Sequence, residues 1–351
     1  MSCRLCSRRS FLRACAVVLA VGLAAPHAWA WWKLRTARSE LEKYHPAAAR
    51  RALESCAHVW SGRASIHLLA CQAARQDGDL PAAERELRQA QRLLGEATDG
   101  TALEFALILA ADGHVREVEE YLQHRAEQST AVGPLVWEAL AIGYLRVYRT
   151  LDAMACLNHW LTVAPDNVRA LELRGRTWAV GKSPSKGVDD FRRVLELDPT
   201  RKETRTRFVD AAIAIGKYDE AAHHLEVLRK EATEDPSIMA NLARCYAFLQ
   251  RGEEARRMID DAVAKHPDDH LCLRTRGHLA ILDHRPADAE ADLRRAAALQ
   301  PWDYQAQNLL FQALQQQNNK EAEAAAQLKI AERTRERFER LNELQSRRLA
   351  E

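Results

Sequence analysis

The chain has 351 residues, with 51 basic and 49 acidic side chains and a net charge of +2. That balance excludes a general nucleic-acid binder, which needs a basic footprint. Glycine is scarce at 14 residues, and the glycine-rich phosphate loops and the glycine-flanked serine elbow are missing.

Residues 1–32 read as an address. Arg4, Arg8, Arg9 and Arg13 are unopposed by any acid, so the remainder of the chain carries a slight acidic excess. Ser7-Arg8-Arg9-Ser10-Phe11-Leu12-Arg13 resembles the twin-arginine export motif. An uncharged apolar run follows from Ala14 to Ala25, then Pro26 and the small-x-small triplet Ala28-Trp29-Ala30. Charged start, apolar middle and triplet are the parts of a cleaved export signal. The same run, extended to Trp32, is 19 residues long. That is close to the roughly 20 residues that span a bilayer, with Trp29, Trp31 and Trp32 at the far interface. Both readings stay open. Either one puts the rest of the chain outside the cytoplasm, anchored to the membrane if uncleaved or released to the periplasm if cleaved. Cys3 and Cys6 have metal-ligand spacing but no second pair to complete a site.

Residues 33–133 predict weak copies of a helical hairpin. Ala49 with Leu53 marks a first copy, Asp79, Ala83, Leu87 and Ala90 a second, and Gly113, Val118 and Leu122 a third.

From residue 134 to 303 the copies become regular, with a period of 34 residues. Ala153, Gly187, Ala221, Ala255 and Ala289 are all small. Four residues on come Leu157, Phe191, Leu225, Ile259 and Leu293. Twelve residues on come Pro165, Pro199, Thr233, Pro267 and Pro301, with one departure. Small and apolar residues four apart share a helix face, and a proline lacks the N–H needed to continue that helix. Trp137, Ala141 and Tyr144, with their counterparts in later copies, fit one face of a first helix. Each copy is helix, turn, helix.

These residues resemble the tetratricopeptide repeat, of bacterial type given the export segment; the best match is Trp137, Leu140, Ala141, Tyr144, Ala153 and Pro165. The resemblance implies an all-α fold, a right-handed superhelical solenoid of antiparallel helix pairs. Thr233, Trp160, Arg174 and Arg276 depart from the family pattern, which has a small residue in place of Trp160 and apolar residues in place of Arg174 and Arg276.

Residues 304–351 predict a last hairpin ending in a long polar helix from Lys320, which caps the open end of the solenoid. A partner helix using Phe338, Leu341 and Leu344 is the alternative, but no heptad is sustained.

The cysteines fall at unrelated repeat positions, as small buried side chains do, and no histidine cluster has ligand spacing. The expectation is therefore no enzyme, no cofactor and no metal, but a scaffold for protein or peptide partners exposed outside the cytoplasm. The alternative is an envelope assembly or maturation factor that holds a client. In the resembling family, first helices line a groove. Its positions, carried over, are Arg176, Arg207, Asn241, Arg244, Arg274, His278, Asn308 and Gln312, with Glu138, Glu172, Asp210, Ile142, Phe248 and Ile281 among them. Arginines hold carboxylates by paired hydrogen bonds, so an acidic or carboxyl-terminal peptide suits the groove. Membrane contact is expected only through the N-terminal segment.

Overall fold

The computed structural model describes residues 24–129, 132–180, 183–232 and 234–348. The twin-arginine segment, most of the apolar run, Cys3, Cys6, Cys15 and Thr233 lie outside the described residues. The described residues are helical throughout, without strands. A first helix, α1, covers residues 24–42. It is followed by α2 (Pro46–Val59), α3 (Ala64–Asp77), α4 (Leu80–Leu94), α5 (Asp99–Asp112), α6 (Val115–Gln128), α7 (Gly133–Arg146), α8 (Thr150–Val163) and α9 (Val168–Val180). Then come α10 (Pro184–Leu197), α11 (Lys202–Ala214), α12 (Tyr218–Glu231), α13 (Pro236–Phe248), α14 (Gly252–Lys265), α15 (His270–Leu282), α16 (Pro286–Leu299), α17 (Tyr304–Gln315) and α18 (Glu321–Arg348). The fold is an all-α solenoid of helix pairs.

Local chemistry recurs with the period. Asp235, Asp269 and Asp303 each cap the first helix of a pair: Asp235 accepts from Ser237 N at 2.8 Å, Asp269 from Cys272 N at 2.8 Å and Asp303 from Gln305 N at 2.9 Å. A capping carboxylate satisfies amides that the helix leaves unpaired. The first helices end on left-handed residues at the same spacing: Tyr148, Gly216, Gln250 and His284 all have positive φ. That conformation turns the chain back into the second helix of the pair.

The chain forms two compact units, Met1–Ala170 and Leu171–Glu351. Within each, consecutive helices pack, and first helices also touch one another: α3 with α5, α5 with α7, α13 with α15, and α15 with α17. These helices make one layer and the second helices the other. In the first unit Ala30, Ala37 and Leu41 of α1 bury against Leu53 and Cys56 of α2 and Ile66 of α3. In the second unit Phe191, Phe208, Leu225, Leu242, Ile259 and Leu273 belong to one continuous core, and the small residues Ala221 and Ala255 have no exposure. Small residues at these points let paired helices approach closely.

The departing residues have physical partners. Arg174 of α9 grips Asp190 of α10 through two bonds of 2.9 and 2.7 Å. Arg276 of α15 grips Asp292 of α16 in the same way, at 2.6 and 2.7 Å. These pairs bridge first and second helix at the repeat position where Phe208 meets the His224 ring at 4.4 Å. A planar, bidentate ion pair thus replaces an apolar contact. Trp160 is fully buried in the first unit, with its ring 5.9 Å from that of Tyr44.

Candidate peptide-binding face

The candidate groove residues lie on the first helices of the second unit: Arg176 on α9, Arg207 on α11, Asn241 and Arg244 on α13, Arg274 and His278 on α15, and Asn308 on α17. Arg176 and Arg207 are exposed, while the other five are half-buried. The structure brings a subset of them together. Arg244, Arg274 and His278 feel one another's charge, and Asp210 lies close enough to Arg207 and Arg244 to feel theirs. Burial, helped by the Arg244 and Arg274 charges, pushes the His278 imidazole below its ordinary value. Burial likewise lowers Arg244 and raises the Asp210 carboxyl, against the pull of Arg207 and Arg244.

The arginines differ in what holds them. Arg274 Nη1 donates to Asp303 Oδ2 at 2.5 Å, and the same aspartate caps α17. Arg274 therefore fastens α15 to α17, with part of its donor capacity spent inside the protein. Among the described residues, Arg244 has no carboxylate within ion-pair distance and no hydrogen bond. A half-buried guanidinium with its donors unspent is an anion-seeking group. Beside it stands an aromatic wall: the Phe248 ring stacks on Tyr218 at 4.2 Å and lies 6.3 Å from the His278 ring. Phe248 is 44% exposed, so the wall faces solvent. Tyr218 opens a second helix, α12, and so lies outside the first-helix positions that line a groove in the resembling family. Its fixed place after Gly216 was the available signal. Asn241 and Asn308 extend the same helix faces, but among the described residues no hydrogen bond ties either to the Arg244 cluster.

Other expected groove residues are spent on structure. Ile281 is buried in the α15–α17 core rather than lining a groove. Glu172 accepts from Arg201 Nη1 at 3.2 Å and from the Thr204 hydroxyl. Glu138, in the first unit, is fully buried. It accepts from Gln76 Nε2 at 3.2 Å and Arg169 Nε at 3.3 Å. Nearby, buried Arg75 donates to Glu104 at 3.4 Å. Tyr44, from the turn between α1 and α2, closes over this network, and Asn167 Nδ2 donates to its hydroxyl at 3.4 Å. Burial and the Glu138 charge push the Tyr44 hydroxyl well above its ordinary value. In the first unit these inner faces are filled by the protein's own side chains.

A separate recess of about 640 Å³ opens between α12, α13 and α14. Arg229 pairs there with Glu226 at 2.8 Å and Lys265 with Asp261 at 3.2 Å, while Arg257 is exposed and donates to the Glu253 carbonyl at 3.3 Å, so among the described residues it presents no half-buried, unpaired guanidinium of the Arg244 kind. Among the described residues, no group of three or more histidines, cysteines or acids is placed to hold a metal ion. The five described cysteines are buried free thiols, and burial pushes Cys156 and Cys272 up to about 12. No helix among the described residues is long and apolar enough to cross a membrane.

Comparison with known proteins places a tetratricopeptide repeat at residues 212–276, the segment from α11 to α15 that holds Asn241, Arg244 and Arg274. The chain is similar to ER membrane protein complex subunit 2-A of Xenopus laevis, 25% identical over 45% of this chain and 54% of that one. It is also similar to tetratricopeptide repeat protein 14 of Mus musculus, 36% identical over 19% of this chain and 9% of that one. The chain thus spans about half of the first relative and under a tenth of the second. A tetratricopeptide repeat protein from Parabacteroides merdae aligns with 82% of this chain and 99% of its own, at 15% identity and a TM-score of 0.38. The family model matches residues 212–276, and the structure forms consecutive helix pairs over that segment.

Proposed function

We propose that the chain is a non-catalytic scaffold that holds a protein partner through an acidic peptide segment laid against α11, α13 and α15. The unspent guanidinium of Arg244 carries this reading. A carboxylate would take up its donors in paired geometry, while Phe248 and Tyr218 offer an apolar seat for a neighbouring side chain. Arg207 lies at the edge and adds long-range attraction, and Arg274 holds the neighbouring helix in place. The Xenopus laevis relative is, by its name, a subunit of a membrane protein complex, in keeping with a scaffold role.

The test is fluorescence anisotropy with a labelled peptide rich in Asp and Glu and ending in a free carboxylate. Arg244→Ala is expected to weaken binding by about tenfold or more, since a charge-assisted bond of this kind contributes roughly 1.5–3 kcal/mol. Unchanged affinity would remove the Arg244 face from the proposal.

The scaffold is placed outside the cytoplasm, with residues 1–32 as an anchor. Burial of Ala30 supports retention of the segment: the small-x-small triplet lies inside α1, and Cys56 Sγ donates to the Ala30 carbonyl at 3.3 Å. An alkaline-phosphatase fusion after residue 60 should be active, and an inactive fusion would reverse the topology.

A further inference from the structure

The N-terminal half of α1 has an unusual surface. Trp29, Trp31 and Trp32 are 46%, 58% and 56% exposed, although tryptophan is the largest apolar side chain available to a core. On a helix, successive residues are turned by about 100°, so Trp29 and Trp32 share a face and Trp31 lies beside them, about 100° from Trp32. Ala30 lies opposite, buried against the first unit. The indoles therefore form a half-collar over the side of α1 that faces away from Ala30. Cations stand on the collar. Lys33 Nζ lies 5.1 Å from the Trp32 ring and 5.7 Å from that of Trp29, and the Arg35 guanidinium lies 6.0 Å from Trp31. Among the described residues, no carboxylate pairs with Lys33, Arg35 or Arg38. The collar is also held rigidly to the repeats: Trp60 Nε1 donates to His27 Nδ1 at 2.8 Å, just before Trp29.

We propose that this collar is a docking surface for the headgroup layer of an anionic phospholipid bilayer. An indole has an apolar ring and one N–H donor, which suits the boundary between hydrocarbon and water. Unpaired lysine and arginine beside it match lipid phosphates in charge. The apolar sequence from Ala14 to Ala25 immediately precedes the collar. The collar deepens the anchoring proposed above and rests on it. Because α1 continues without a break into the first helix pair, the repeats are held against the membrane surface and not on a flexible stalk.

The full chain is reconstituted into phosphatidylcholine vesicles, with and without phosphatidylglycerol, that carry lipids brominated near the headgroup or deep in the acyl chains. Tryptophan emission is compared with that of the Trp29→Phe/Trp31→Phe/Trp32→Phe variant, whose exposed substitutions leave the core intact; the difference is the collar's own signal. Shallow bromines are expected to quench that signal at least about twofold more than deep ones. Phosphatidylglycerol should raise the quenching by at least about 1.5-fold, and Lys33→Gln/Arg35→Gln/Arg38→Gln should abolish the rise. Absent quenching, or stronger quenching by deep bromines, overturns the proposal, and an unchanged response to phosphatidylglycerol overturns its anionic preference. Resistance to carbonate extraction reports the anchor separately. Extractable protein with a shallow-quenched collar sinks the anchor alone, and membrane-integral protein with unquenched indoles sinks the collar alone.

Discussion

The inner faces of the two units use similar residues to opposite ends. In the first unit, Arg75, Gln76, Glu104, Glu138 and Arg169 of α3, α5, α7 and α9 bond to one another, with Tyr44 closing over them. In the second unit, Arg244 keeps its donors free beside Phe248 and His278. Charge at a first-helix position is therefore no sign of a binding groove by itself. What matters is whether the neighbouring helices supply the counter-charge. Buried pairs act as structure, because losing one partner strands the other in a low dielectric. An unspent, half-buried charge costs stability in the free protein and recovers it when a ligand arrives.

The sharpest way to break this comparison is at the glycines. A Cβ on Gly143 of α7 would fall onto the Ala110 carbonyl oxygen of α5, a backbone atom that cannot rotate away. Gly277 of α15 is also crowded, but by the Leu293 side chain, whose Cγ would lie 2.6 Å from the new Cβ. Gly143→Ala is expected to cost about 3 kcal/mol or more and Gly277→Ala about 1 kcal/mol in urea unfolding followed by circular dichroism. Equal costs would show that the first unit's helices are not in backbone contact, and so not closed as described.

The next effect is at Glu138. Glu138→Ala leaves Arg169 and Gln76 without their acceptor, and the expected cost is about 3 kcal/mol. Arg244→Ala in the second unit is expected to stay within roughly 0.5 kcal/mol of wild type, because no partner is stranded. If Arg244→Ala proved as costly as Glu138→Ala, the second face would be a structural network too, and the binding reading would fall.

Much of this was legible in the sequence. The 34-residue columns carry the local chemistry of each hairpin, so first helices begin at Val168, Lys202, Pro236 and His270, the residues that open the copies. Contacts between neighbouring copies were harder to read. Asp303 looks like a simple cap, and only packing of α15 on α17 shows that it also takes up Arg274. Glu138 and Ile281 occupy positions that line a groove in the resembling family, but burial depends on how closely consecutive copies approach. Tyr44 could not be found from periodicity at all. It sits in a turn, 123 residues from the Asn167 that donates to it, and no repeat spacing encodes that meeting.

Arg174–Asp190 and Arg276–Asp292 test a smaller point: whether bonds between helices of one pair follow the rule for buried pairs. The Asp292 side chain is only 11% exposed, while Arg276 is 32% exposed. Asp292→Ala should therefore cost about 1–2 kcal/mol, less than Glu138→Ala. Replacing both partners by leucine should bring the cost back to within about 1 kcal/mol of wild type, since no charge is left unpaired. A double variant as unstable as the single one would mean that the ion pair specifies the packing and does not merely substitute for an apolar contact.

The smallest expected effect is on pH dependence, and it separates the two faces by chemistry. Tyr44 is pushed upward by burial and Glu138, so it stays protonated through the physiological range and adds no pH response to the first face there. His278 is pushed below its ordinary value of 6.5 by burial and by Arg244 and Arg274. A depressed imidazole contributes stability that is complete above the unfolded value and is lost as pH falls from there through the folded one. An acidic peptide reverses the local balance. Its carboxylate offsets the arginine charges and favours protonated His278, so binding takes up a proton and tightens as pH falls. Between pH 8 and pH 6 the affinity for the acidic peptide should rise by about two- to threefold, and His278→Gln should flatten the profile. If binding tightens equally in the His278→Gln variant, the proton is taken up elsewhere, and His278 is only a neighbour of the binding face.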